Sequence, residues 1–321
     1  MSFAVGMNKL SLAPSPHFKK GESTRDIMLN VIIALLPSVI VSVILFGFNA
    51  LVIYAVSCGG CVLCEYFSRK LMKRDNTVSD LSAVVTGILL AMNVPVGINP
   101  LMVLFGTIVA IGFAKQMFGG IGQNFVNPAL TARIVLLTSF PSKMTTWTEP
   151  FCYLGTKADA VSSATPLADG EKLSYIDLLL GTHSGCIGET CAIALILGGV
   201  YLMMKRIISP VIPFTYLGTV ALLSFIAGDD VIRQLLCGGL MLGAFFMATD
   251  YATSPITPIG KVIFALGCGI ITFVIRKFGA LPEGVSFAII LMNILVPHIE
   301  SLTVSKPFGS IKKEDKKNGR Q

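Results

Sequence analysis

The sequence predicts an all-α polytopic membrane protein, with about ten transmembrane helices forming two inverted five-helix repeats with broken helices. Three observations carry this expectation. The chain is 53% hydrophobic and only 13% charged, whereas soluble domains carry about 25% charged residues. Its apolar residues gather into runs of membrane-spanning size, joined by short polar or basic links. One pattern of helix break, glycine-rich span and basic residue occurs twice. The net charge of +7 does not imply nucleic acid, because the basic residues lie in clusters between apolar runs, as in positive-inside loops.

Taken in order, residues 1–26 form a polar arm holding Pro14, Pro16, Lys19 and Lys20, without the apolar core of a signal peptide. The expected spans of the first repeat, residues 27–140, are Ile27–Phe46, Ala50–Phe67, Leu81–Val94, Leu101–Met117 and Leu130–Phe140. A polar insertion follows at residues 141–188, with Trp147 as a candidate interfacial anchor. The second repeat, residues 189–300, carries Thr190–Met204, Val211–Ala227, Val231–Thr249, Val262–Ile275 and Val285–Ile299. Residues 301–321 are a basic tail. With Arg69, Lys70, Lys73, Arg74, Lys205 and Arg206 inside, both termini are expected in the cytoplasm and the insertion outside.

Arg276 and Lys277 break that charge rule, and the repeat explains them. Ala91 to Pro95, Pro100, Lys115 and Gly119-Gly120 run parallel to Ala248 to Asp250, Pro255, Pro258, Arg276-Lys277 and Gly279-Ala280. Five spans per half place the copies upside down, so Lys115 and Arg276 fall near opposite faces.

Eight cysteines lie mostly within apolar runs, which argues against a disulfide framework. Cys58, Cys61 and Cys64 share a helical face, yet no fourth thiol at a compatible spacing completes an iron–sulfur ligand set. His17, His183 and His298 are too scattered for a metal site. Gly119 to Asn127 follows no expected strand, so it reads either as unwound backbone lining a cavity with Asn124 and Asn127 or as a tight glycine turn between helices. Arg133, a few residues inside the next span, calls for an anionic partner, such as a flavin phosphate or a carboxylate. Glu65, Glu189 and Asp250 stand at span ends, where an interfacial position suffices.

In the insertion, Asp159-Ala160-Val161-Ser162-Ser163-Ala164-Thr165-Pro166 is small and hydroxylated. Pro166 drives Thr165 towards extended backbone, which exposes its hydroxyl to a modifying enzyme. This motif, with Ser15-Pro16-His17 and Gly119-Gly120-x-Gly122-x-Asn124-x-x-Asn127-Pro128-Ala129, resembles the NqrB/RnfD family over nearly the whole chain. That family comprises membrane subunits of Rnf ferredoxin:NAD oxidoreductases and of sodium-pumping NADH:quinone reductases. The short N-terminal arm favours the Rnf branch over the quinone-reductase branch.

The resemblance implies an electron-transfer subunit of an ion-translocating (Na+ or H+) oxidoreductase in the bacterial inner membrane. It assigns Asp159, Ser162, Ser163 and Ala164 to the flavin-transferase motif and a covalent FMN phosphoester to Thr165. Ser163 replaces a frequent glycine. It also implies a second, non-covalent flavin, riboflavin, with Asn124, Asn127 and Arg133 as candidates. Its implied partners are the A, B, C, E and G members of the Rnf complex and a flavin transferase. The competing reading from the residues alone is a non-redox transporter or channel.

Overall fold

A computed structural model describes residues 23–152, 174–189, 191–279 and 284–304. Among these the regular structure is helical, without a strand. The first half contains α1 (Thr24–Phe46), α2 (Phe48–Leu71), α3 (Ser82–Met92), α4 (Pro100–Gln116) and α5 (Pro128–Ser139). Two short helices follow, α6 (Pro141–Met144) and α7 (Tyr175–Leu180). The second half contains α8 (Ala192–Met204), α9 (Val211–Ile226), α10 (Val231–Leu236), α11 (Leu240–Leu242), α12 (Pro258–Phe278) and α13 (Val285–Thr303). α11 continues into a π-helical turn, Gly243–Met247.

Four helices, α1, α2, α12 and α13, are long and apolar enough to cross a membrane. On α1, Leu29, Ile33, Leu36, Ile40 and Ile44 form an exposed stripe at helical spacing. Water does not tolerate so continuous an apolar face, and hydrocarbon does. The protein is therefore a membrane protein.

Local chemistry fixes the helix starts. Ser23 and Asp26 form a reciprocal capping box on α1. Asn99, Asn127 and Thr257 cap α4, α5 and α12, each followed by a proline in the first turn. Proline is harmless there because its missing N–H has no partner in an α-helix. Small residues then let the helices close on one another. Gly87 abuts the Ser57-Cys58 backbone, and Ser57 Oγ donates to the Gly87 carbonyl at 2.7 Å. Gly269 packs on Thr219 of α9, one turn from a 2.6 Å bond between Tyr216 and Thr272.

Several expected spans are shorter than drawn, and one is broken. α3 has 11 residues, about 16 Å at 1.5 Å each, and so stops inside the protein at buried Asn93. The run expected over Val231–Thr249 splits at Gly238 and Gly239, both with positive φ, which only glycine adopts without strain. Trp147 is buried rather than placed at an interface. Cys58 and Cys64 face α3 and α4, with sulfur contacts to the Val84 carbonyl and Thr107.

The contacts define two ends of the bundle. The start of α1 meets Ile207, Ile208 and Tyr251 around one cavity, and the end of α13 bonds Ile256 and Thr257. The described parts of the insertion lie at the opposite end. There Phe151 donates to the Leu45 carbonyl at 2.7 Å and Tyr175 donates to Asp230 at 3.0 Å.

Candidate functional site

Two buried polar centres occur where the helices break. In the first, α5 carries Arg133 into the interior, 5% exposed. Its Nη1 donates to Asn93 Oδ1 at 2.9 Å, and its Nη2 donates to Cys186 Sγ at 3.5 Å. Glu189 Oε1 stands 3.6 Å from the same nitrogen. The turn from Cys186 to Glu189 closes against the α3 terminus through two consecutive backbone amides. Ile187 N–H donates to the Val94 carbonyl at 3.1 Å, and Gly188 N–H to that of Met92 at 2.8 Å. A Cβ on Gly188 would overlap Met92, and one on Gly239 would press on Glu189 Oε1. The anionic partner expected for Arg133 is thus an internal carboxylate, and Arg133 does not line the main cavity.

The second centre gathers around Glu65, 1% exposed, near the end of α2. Lys115 Nζ donates to Glu65 Oε2 at 2.9 Å and to Ser82 Oγ at 2.7 Å. Gln116 Nε2 and Thr77 Oγ1 donate to Glu65 Oε1 at 3.0 and 2.9 Å. The second part of α4, Ile108–Gln116, is π-helical, and its wider turn aims the adjacent Lys115 and Gln116 at one carboxylate.

Lys115 also borders an open-mouthed cavity of about 800 Å³, solvent at the mouth included. Met28, Leu89, Leu202, Phe245 and Phe246 form apolar walls, and Asn124, Asn127 and Asp250 add polar groups. Asn127 is largely committed. Its Oδ1 accepts from the Ala129 and Leu130 amides, and its Nδ2 donates to the Met247 carbonyl at 3.3 Å. Asn124 Oδ1 is buried without a partner. Gly119, Gly120 and Gly122 take positive φ and let this loop wrap the cavity edge.

Asn124 and Asn127 were legible as cavity residues. Glu65, Lys115, Asn93, Cys186 and Glu189 were not legible as partners, because these contacts join residues 33 to 56 positions apart. A buried charge inside an apolar run was the available signal, and it named Arg133 alone. Arg276 makes a matching clamp in the second half. It donates to the Gln234, Cys237 and Gly238 carbonyls at 2.6, 2.9 and 3.1 Å. Thr165, Asp159, Ser162, Ser163 and Ala164 lie outside the described residues.

The NQR2, RnfD, RnfE family model matches residues 11–309. The D subunit of the Na(+)-translocating ferredoxin:NAD(+) oxidoreductase complex of Acetobacterium woodii is 47% identical, covering 97% of this chain and 100% of the relative. The D subunit of the proton-translocating ferredoxin:NAD(+) oxidoreductase complex of Clostridium ljungdahlii is 40% identical over 95% and 98%. The D subunit of the ion-translocating oxidoreductase complex of Stutzerimonas stutzeri is 38% identical over 89% and 92%.

Proposed function

The chain belongs to the NQR2, RnfD, RnfE family, and from that premise we propose that it is the D subunit of an ion-translocating ferredoxin:NAD oxidoreductase complex. Identity of 47% along the full length of such a subunit carries this reading. The names of the relatives divide between sodium and protons, so the shared scaffold is compatible with either ion. In this proposal Thr165 holds FMN by a phosphoester, within the Asp159, Ser162, Ser163, Ala164 motif that a flavin transferase reads. Such a bond leaves the redox ring untouched, so the protein supplies position while the cofactor supplies electron transfer.

Two observations support ten spans in two inverted halves. α2 and α4 end together, where Arg74 donates to the Gln116 carbonyl. α9 and α12 also end together, where Lys277 meets Asp229 at 2.6 Å, at the opposite end of the bundle. The basic joints Arg69–Arg74 and Lys205-Arg206 share the end where α1 starts, which supports a cytoplasmic location for that end. The insertion then faces outwards, beside the other members of the complex and the transferase.

The cavity residues fit a second flavin held non-covalently, such as riboflavin. The cavity opens to solvent, and its walls are mostly apolar with a few polar groups, the usual lining of a cofactor pocket. The unpartnered Asn124 Oδ1 offers an acceptor for a ring N–H, and Lys115 offers a donor for a ring carbonyl. When bound, a flavin supplies one- and two-electron chemistry that these side chains lack.

The test uses the complex expressed with the transferase. The denatured chain is expected to fluoresce as a flavin, the peptide holding Thr165 to gain the mass of one FMN, and Thr165→Ala to abolish both. A dark, unmodified band under these conditions would favour the transporter reading, which the interrupted helices alone also fit.

A further inference from the structure

We propose that Lys115 is the residue that recognises the polar edge of the cavity's occupant, through the one ammonium N–H that the protein leaves for it. The inference rests on the non-covalent flavin reading. An ammonium group has three N–H donors. Glu65 and Ser82 take two of them, at 2.9 and 2.7 Å. The side chain is 2% exposed and lines the cavity, a wall it shares with the Asp250 carboxylate.

A lysine serving only to neutralise Glu65 would not need such exact seating. Glu65 is itself immobilised, because Gln116 and Thr77 hold its second oxygen. Ser82 blocks the ammonium from swinging along α3, and the π-helical turn of α4 fixes the direction from which the lysine stem arrives. A donor held this firmly loses little freedom when a ligand binds, which is how preorganised sites gain affinity. Asn124, whose buried Oδ1 is an acceptor without a partner, lines the same cavity. A fixed donor and a waiting acceptor on the wall of an apolar slot complement a flat heterocycle that alternates carbonyl and N–H along one edge. The pyrimidine edge of a flavin has that pattern.

A positive charge at that edge has a second consequence. Reducing a flavin with two electrons and one proton leaves one negative charge near N1 and the C2 carbonyl. A neighbouring ammonium stabilises that charge and raises the potential, and charge near N1 is one way proteins tune flavins. Glu65 opposes the effect, so the two residues act with opposite signs.

The experiment uses the purified complex and reads three quantities. These are covalent flavin per complex, flavin released by acid, and the midpoint potential of the releasable flavin, with electrons from an electrode and the proton from buffer. Lys115→Met alone strands a buried carboxylate, so the double variant Lys115→Met, Glu65→Gln is the informative one. It is expected to keep covalent flavin and to favour the reduced form about tenfold less, a fall of about 30 mV for a two-electron couple. Glu65→Gln alone leaves the ammonium uncompensated and is expected to raise the potential. If both variants move it the same way, or neither moves it, the assignment of Lys115 is overturned while the flavin reading stands. If the wild-type complex releases no flavin, the flavin reading itself falls, and this inference with it.

Discussion

Arg133 gathers Asn93, Cys186 and Glu189 into one network, and this makes it the side chain whose loss should be felt most widely. Replacing one partner of a buried ion pair costs about 3–5 kcal/mol, because the other charge stays behind without compensation. Arg133→Met is therefore expected to lower the melting temperature of the detergent-solubilised protein sharply. Arg133→Lys should rescue it only in part, since one ammonium cannot reproduce the planar fork. Adding Glu189→Met to Arg133→Met should recover stability, and a double variant no better than the single one would sink the ion-pair account. His183 gives a milder effect with a sign. Burial pushes its imidazole below the usual 6.5, against the raising influence of Asp177. The folded loop thus favours the neutral ring, so its contribution is complete above pH 6.5 and fades as pH falls through the lowered value. Melting curves from pH 7.5 down to pH 5 should show this loss, and His183→Gln should flatten it.

Among the elements, the same Asn-Pro start serves two different purposes. Asn99 is exposed, and its Oδ1 caps α4 by accepting from Leu101 N–H at 2.9 Å. Asn127 caps α5 in the same way and also reaches the Met247 carbonyl on the π-helical turn after α11. Asn99→Ala should cost about 1 kcal/mol, the ordinary value of a cap. Asn127→Ala should cost roughly a further 1–3 kcal/mol, because a buried carbonyl loses its donor. Equal shifts in melting temperature for the two variants would show that the link to Met247 carries no weight. This pair also marks what the sequence made legible. A cap followed by proline is local chemistry, so the starts of α4, α5 and α12 at Pro100, Pro128 and Pro258 are written in the sequence, although the apolar runs alone drew these spans from Leu101, Leu130 and Val262. The π-helical stretch of α4 could not be read there, because its end is bonded to the distant carboxylate of Glu65 through Lys115 and Gln116, a contact that no local propensity encodes. The break at Gly238-Gly239 was missed for a related reason, since the apolar run around it looked continuous.

At the scale of the whole molecule, two internally bonded cations lie towards opposite ends, buried Lys115 holding Glu65 and half-buried Arg276 holding the carbonyls that end α10. Charge counting by itself left Arg276-Lys277 as an exception on the outer side. On the proposed topology the fold accounts for it, because Arg276 is used internally and Lys277 pairs with Asp229 at 2.6 Å. Neither is then free to act as a loop charge that holds its end in the cytoplasm, whereas Lys70 and Lys73 are exposed. A topology follows from these charges without reference to any cofactor. Alkaline phosphatase fused after Asp229 should be active, because that joint lies at the end shared with Tyr175 and the insertion. The same reporter fused after Lys205 should be inactive, and a fluorescent protein that folds only in the cytoplasm should give the reverse pattern. Removing the bond by Asp229→Asn should leave the pattern unchanged, since the exposed Lys70 and Lys73 still favour the opposite end inside. An inverted pattern in the unaltered chain would put Thr165 in the cytoplasm, away from the side on which its transferase and its external electron partners are proposed to act.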